Sequence, residues 1–167
     1  MGAWGEEAFT NDAALDWVAE TCGDDGALDK APRLMSKKAV LACLDAAHQV
    51  ETSDHSLNRK VEEFYAACEI VAAAMSPCPY WQDDGTTLFH RANDEYSPPY
   101  LPEEISDWLA QARPHFNRRE IEAALEALNL VELPRLIATW RNAETQDRRR
   151  QAIGLTRRRL QAALEMF

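Results

Sequence analysis

The sequence predicts an all-α fold: a single domain, residues 1–167, forming a bundle of about seven short helices with one long ordered loop, rich in proline and aromatic residues, over residues 76–102. Three observations carry that expectation. Almost every periodic stretch repeats its apolar residues at intervals of three and four, and none alternates with period two for long enough to build a strand. The chain has 167 residues, 46% of them apolar, so one core hiding roughly 70% of the unfolded surface needs no metal or disulfide staple. The breaks between periodic stretches carry Gly, Pro, Asn or Ser, which cap helices or stop them.

Helix one starts at Asn11 or Asp12, whose side chains can accept from the unpaired N–H groups of a first turn. It runs through Ala14, Leu15, Trp17 and Val18 and stops at Gly23, before an acidic turn, Gly23-Asp24-Asp25-Gly26. Helix two begins near Ser36, puts Val40, Leu41, Leu44 and Ala47 on one face with Lys37 and Asp45 turned outward, and ends near Val50. Helix three has the clearest pattern: Val61, Phe64, Tyr65, Cys68, Val71, Ala72 and Met75 recur at three and four residues. Its alanine-rich second half is nearly uncharged apart from Glu69, so neighbours can approach from several sides and it should be the most buried element. Pro77 and Pro79 end it.

Residues 76–102 hold five of the eight prolines together with Tyr80, Trp81, Phe89, Tyr96 and Tyr100. Such a segment should pack as an ordered lid on the core, although loops of this length are often functional. Pro102 sits where the N1 residue of helix four belongs, with Ile105, Trp108 and Leu109 inward and Pro114 closing it. Asn117 and Glu120 form the cap and N3 partner of helix five, which turns Ile121, Ala124, Leu125 and Leu128 inward. Helix six, near Glu132–Asn142, shows Leu133, Leu136, Ile137 and Trp140; the last, roughly Thr145–Glu165, shows Ile153, Leu160, Ala163 and Leu164.

Charge is unevenly placed. Residues 1–112 carry 21 acidic and 7 basic side chains, residues 113–167 carry 7 and 11, and the whole chain stands at −10. The two parts should attract each other. A field of this sign repels nucleic-acid phosphates and anionic lipid, so neither nucleic acid nor membrane is expected as a partner, and it steers a basic protein inward. No apolar run is long enough for a membrane span, and the N-terminus lacks the basic start and apolar stretch of a signal peptide, which points to the cytoplasm.

Of the four cysteines, Cys22, Cys43, Cys68 and Cys78, Cys43 and Cys68 fall on apolar stripes, where free cysteine behaves as a small hydrophobe. No Cys-x-x-Cys pair exists and His48, His55, His90 and His115 are scattered, so no zinc site and no other cofactor are expected. Six glycines without nucleotide-loop spacing leave no Rossmann or Walker fingerprint.

Asp12 and Asp16 stand four apart with Glu20 on the same stripe, a pattern that can hold a divalent cation or share a proton. A catalytic pair needs further ligands or a base, and the competing reading is structural: Asn11 or Asp12 caps the helix, Gly5 permits a tight turn, and Trp4, Phe9 and Trp17 bury the preceding segment. Arg148-Arg149-Arg150 and Arg157-Arg158-Arg159 suggest phosphate binding, with Arg150 and Arg157, and Arg148 and Arg159, on common faces. With acidic neighbours such as Glu144 and Asp147 beside them, a solvated or intramolecularly paired basic helix is the favoured reading.

The opening string Met-Gly-Ala-Trp-Gly-Glu-Glu-Ala-Phe-Thr-Asn-Asp-Ala-Ala-Leu-Asp-Trp resembles that of the bacterial family called domain of unknown function 4259. Further similarities follow in family order: the alanine-rich helix at Ala66–Ala74, Leu101-Pro102 leading into a helix, and Glu132-Leu133, Leu136 and Trp140 before a last helix. The long Pro/aromatic loop and the arginine-rich final helix depart from the family pattern. The resemblance implies a small bacterial cytoplasmic protein and carries over no catalytic residue.

These readings lead to an expectation of a non-enzymatic interaction protein, an immunity-type protein that masks a basic toxin or effector. Its contact surface would be acidic, drawing on Asp24, Asp25, Asp83, Asp84, Asp94 and Glu95. The N-terminal residues Trp4, Gly5, Phe9, Asn11, Asp12, Asp16 and Trp17 are assigned to structure. The alternatives are a metal-dependent enzyme using Asp12, Asp16 and Glu20 or His90, and a helical module that dimerises through the aromatics of the 76–102 loop.

Overall fold

The structure, a computed structural model, describes residues 8–9, 12–23, 35–51, 57–75, 101–140 and 142–167. Among these residues there are seven helices and no strand: α1 (Asp12–Cys22), α2 (Lys37–Gln49), α3 (Leu57–Met75), α4 (Glu103–Ala112), α5 (Arg118–Val131), α6 (Pro134–Ile137) and α7 (Ala143–Leu164). Pro77, Pro79, the loop from residue 76 to 100, and Trp4, Gly5 and Asn11 lie outside the described residues.

Local chemistry sets the helix ends. Gly23, just past α1, has φ 74, the left-handed turn that glycine adopts without a Cβ clash. Ser36 caps α2 by accepting from Ala39 N at 3.2 Å. Asn117 and Glu120 make a reciprocal capping box on α5. Asn142 and Thr145 make a second one on α7, which therefore starts two residues before the sequence pattern suggests. Pro102 is the N-cap of α4 rather than its first helical residue: its ψ of 148 is extended, so the helix begins one position later.

Helix α3 lies at the centre and packs against α1, α2, α4, α5 and α7. Every residue from Phe64 to Ala73 is buried, because small alanines at successive positions let neighbouring helices approach from several directions. Tyr65, Phe64, Ile70, Ile105, Phe116, Ile121 and Leu128 are among the largest fully buried side chains. At roughly 1.5–3 kcal/mol for each large apolar side chain taken from water, they supply much of the folding drive. Phe9 is buried against this core and Trp17 packs partly on it.

Ala14, Val18 and Cys22 form the buried stripe of α1, which leaves Leu15 40% exposed. Two expectations about faces and lengths change. Lys37 is not simply outward: its ammonium pairs with Glu120 at 2.7 Å, donates to the His115 carbonyl at 2.7 Å and lies over the Phe116 ring. Helix six shrinks to the single turn Pro134–Ile137. There the Thr139 hydroxyl donates to the Leu136 carbonyl, and Gln146 Nε2 donates to the Trp140 carbonyl. These bonds satisfy groups that a continuing helix would use.

Helices α3 and α7 run parallel. Arg149 bonds Glu62, and Thr156 bonds Glu69, both at a separation of 87 residues, so the pairing advances in the same direction along both helices. The traverse through α4, α5 and α6 makes that parallel return possible. The inward seam of α7 is Arg149, Ile153, Thr156, Leu160 and Ala163, a four-three alternation of the coiled-coil kind in which two positions are polar.

Candidate interaction surface

Among the described residues the buried charged side chains, Glu69, Arg149 and Arg159, stand on the seam between α3 and α7. Glu69 is 2% exposed and Arg159 8% exposed. The Glu69 carboxylate accepts from Arg159 Nη1 and from the Thr156 hydroxyl, the latter at 2.6 Å. Two turns earlier, the Arg149 guanidinium pairs with Glu62 at 2.7 Å and lies between the rings of Tyr65 and Trp140, 4.4 and 5.1 Å from their centroids. A cavity of about 40 Å³ beside Glu62 and Arg149 is too small for a ligand beyond a water or two.

The arginine triplets are therefore largely intramolecular. Arg148 pairs with Glu144, Arg150 with Asp147 at 2.7 Å, and Arg157 with Glu132 at 2.6 Å and Asn129 at 2.9 Å. Arg158 is exposed. The expected common face of Arg148 and Arg159 is not a basic surface, because Arg159 turns into the α3 seam while Arg148 stays in solvent.

Exposed carboxylates gather elsewhere. Asp16 and Glu20 stand on the solvent face of α1, with half-buried Asp12 one turn earlier. Glu103, Glu104 and Asp107 are exposed on α4, the first two in its opening turn, where a helix dipole favours negative charge. The Cys22 thiol at the end of α1 is pushed up in pKa, first by burial and then by the Glu104 carboxylate of α4. Among the described residues none of these five exposed acids has an ion-pair partner. Glu103, Glu104 and Asp107 do not stand out in the sequence, because exposed acids in the opening of a helix look like an ordinary solvated face.

Asp12, Asp16 and Glu20 line neither the 40 Å³ cavity nor a second, larger groove of about 480 Å³. Among the described residues no three His, Cys, Asp or Glu side chains come together as a metal-holding group. Asp24, Asp25, Asp83, Asp84, Asp94 and Glu95, and also His90 and Cys78, lie outside the described residues. Cys22, Cys43 and Cys68 are free and buried. Burial, with the Glu63 carboxylate second, pushes the Cys43 thiol up to about 12, and burial pushes Cys68 well above its ordinary value. Both Sγ atoms face backbone carbonyls, Cys43 that of Glu63 and Cys68 that of Ala124, so they behave as small packing groups.

No described helix is long and apolar enough to cross a membrane. No curated protein and no solved structure matches the chain. A family model described as Domain of unknown function (DUF4259) matches residues 2–152, ending inside α7 between Arg149 and Thr156. Matched over most of its length, the chain belongs to that family.

Proposed function

We propose that the protein is a non-enzymatic interaction module whose acidic exterior docks a basic partner protein, and that its specific role is immunity-type masking of a toxin or effector. The observation that supports this reading is the internal use of the α7 arginines. Arg149 and Arg159 face Glu62 and Glu69 inside the fold, and Arg148, Arg150 and Arg157 face Glu144, Asp147 and Glu132. Arg149 and Arg159 thereby take up carboxylates of residues 1–112 while the other three pair with acids of their own segment, so little of the α7 basic charge is left to offset, at short range, the acidic field of a chain at −10. Asp16, Glu20, Glu103, Glu104 and Asp107 are the described carboxylates best placed to meet a partner. This reading sets the protein in a bacterial cytoplasm, where free buried thiols such as Cys43 and Cys68 are the ordinary state.

Long-range attraction of this kind raises association rate more than it slows release. The test is an affinity capture from the source cell at low salt, followed by association kinetics with the captured protein. A basic protein should be retained, and its association rate should fall steeply with ionic strength and again when Glu103, Glu104 and Asp107 are replaced by lysine. Capture that returns no basic protein, or an association rate indifferent to salt, removes the reading.

A further inference from the structure

Among the described residues the large hydrophobic side chains left exposed are Leu15, Met166 and Phe167, and the last two flank one open groove of about 480 Å³. Met75 and Leu109 add to its apolar lining, and Arg113 and His115 stand at its edge. The volume falls in the range of roughly 300–1,000 Å³ typical of small-molecule sites. The acidic carboxylates of α1 and α4 described above do not line it.

The edge is firmly held. Phe116 is fully buried and its N–H points to Met75 Sδ at 3.4 Å. Lys37 holds the His115 carbonyl at 2.7 Å, the Asn117–Glu120 box fixes the next turn, and the Phe167 ring meets the His115 imidazole edge-on with centroids 5.8 Å apart. Arg113 caps α4 at φ 42 and ψ 56, a left-handed conformation that is usually filled by glycine where it ends a helix and that disfavours a side chain. Among the described residues it is the one non-glycine with positive φ. An exposed guanidinium is thus presented on an immobilised connector, at a backbone position where glycine would fold more easily.

We propose that this groove binds small apolar anions, with medium-chain fatty carboxylates as the ligand class. The alkyl chain lies along Met75, Leu109, Met166 and Phe167, and the carboxylate accepts from the Arg113 guanidinium with His115 beside it. Local charge complementarity selects the anion: the chain as a whole repels negative solutes, so an anionic amphiphile is retained only where Arg113 offers a charge-assisted bond over apolar lining. The site is independent of the acidic docking surface, and lysine substitutions at Glu103, Glu104 and Asp107 leave it in place.

Calorimetric titration of the full chain with sodium decanoate and with 1-decanol tests the assignment. Decanoate saturates at one per chain and binds about tenfold tighter than the alcohol, the margin expected for a hydrogen bond to a charged group. Arg113→Gly removes that margin while its melting temperature stays level or rises, because glycine accepts the left-handed backbone; lost binding is then not lost folding. Absence of saturable decanoate uptake, equal affinity for acid and alcohol, or an unchanged affinity in Arg113→Gly overturns the proposal.

Discussion

Replacing Arg159 by methionine isolates the energetics of the α3–α7 seam. The change keeps side-chain bulk and removes the cation facing Glu69. Both side chains are almost wholly out of water, 7% and 2% exposed, so the discount that applies to surface pairs does not apply here. Removing one member of a buried pair typically costs about 3–5 kcal/mol. Glu69 keeps the Thr156 hydroxyl at 2.6 Å, so the expected loss is at the lower end, about 3 kcal/mol. Replacing both partners, Glu69→Leu with Arg159→Met, should restore stability to within about 1 kcal/mol of the parent or exceed it, since no charge is then stranded. Thr156 stays satisfied in the double variant through its second bond, to the Ala152 carbonyl at 3.3 Å. Arg148→Met is the control: its pair with Glu144 is 59% and 71% exposed, and its loss should stay within about 0.5 kcal/mol. Urea unfolding with a common slope reads all four proteins. If Arg159→Met costs no more than Arg148→Met, or the double variant is as unstable as the single one, the reasoning about the seam fails.

Three further outcomes follow from the same packing. Arg149→Lys keeps the charge but loses the flat guanidinium between Tyr65 and Trp140, and should cost about 1–2 kcal/mol in urea unfolding. Asn142→Ala breaks the capping box of α7 and should cost about 1 kcal/mol, with faster amide exchange confined to its first turn. Cys43 and Cys68, held protonated by burial, should resist iodoacetamide at pH 8 in the native protein and react once it is unfolded, as peptide mass spectrometry would show. Because the folded Cys43 thiol is raised from 9.0 to about 12, its contribution to stability is whole below pH 9 and is lost as pH climbs toward 12; Cys43→Ala should flatten that part of a melting-temperature profile.

Elements defined by short-range chemistry were legible before any coordinates. Asn117 and Glu120 spell a cap box in three letters of spacing, and the apolar run of α3 admits one period only. Asn142 and Thr145 make the same box with a hydroxyl in place of a carboxylate, and that substitution hides it among ordinary polar residues. Leu133, Leu136, Ile137 and Trp140 satisfy a helical period, yet one turn of helix followed by side-chain bonds to the backbone satisfies it equally well. The buried arginines were hidden for a different reason. Ile153, Leu160 and Ala163 define a four-three alternation whose missing members are Thr156 and Arg149, but a polar residue on such a seam is recognisable only when its partner on α3 is known. Glu69 gave the reciprocal hint, as a lone charge within an alanine run.

The uneven charge of the chain and the parallel course of α7 have a common physical basis. Sliding α7 forward by one heptad would set Glu62 against Thr156 and Glu69 against Ala163, leaving a buried carboxylate with no cation. Sliding it back would set Arg149 against Glu69 but leave Glu62 facing Asn142 and carry Arg159 beyond Met75, the last residue of α3, so that one of the two ion pairs is lost. The forward slip, which strands Glu69 without a cation, costs about 3–5 kcal/mol, whereas the apolar seam residues, Ile153, Leu160 and Ala163, would tolerate either slip far better. The attraction between an acid-rich N-terminal part and a base-rich C-terminal part is thus realised at Glu62–Arg149 and Glu69–Arg159, where it selects register. The same selection removes those two guanidinium groups from the surface. Helix register, and the withdrawal of two ion pairs from the surface with the chain's net −10 unchanged, are in this way one consequence of where four charged side chains stand on two helices.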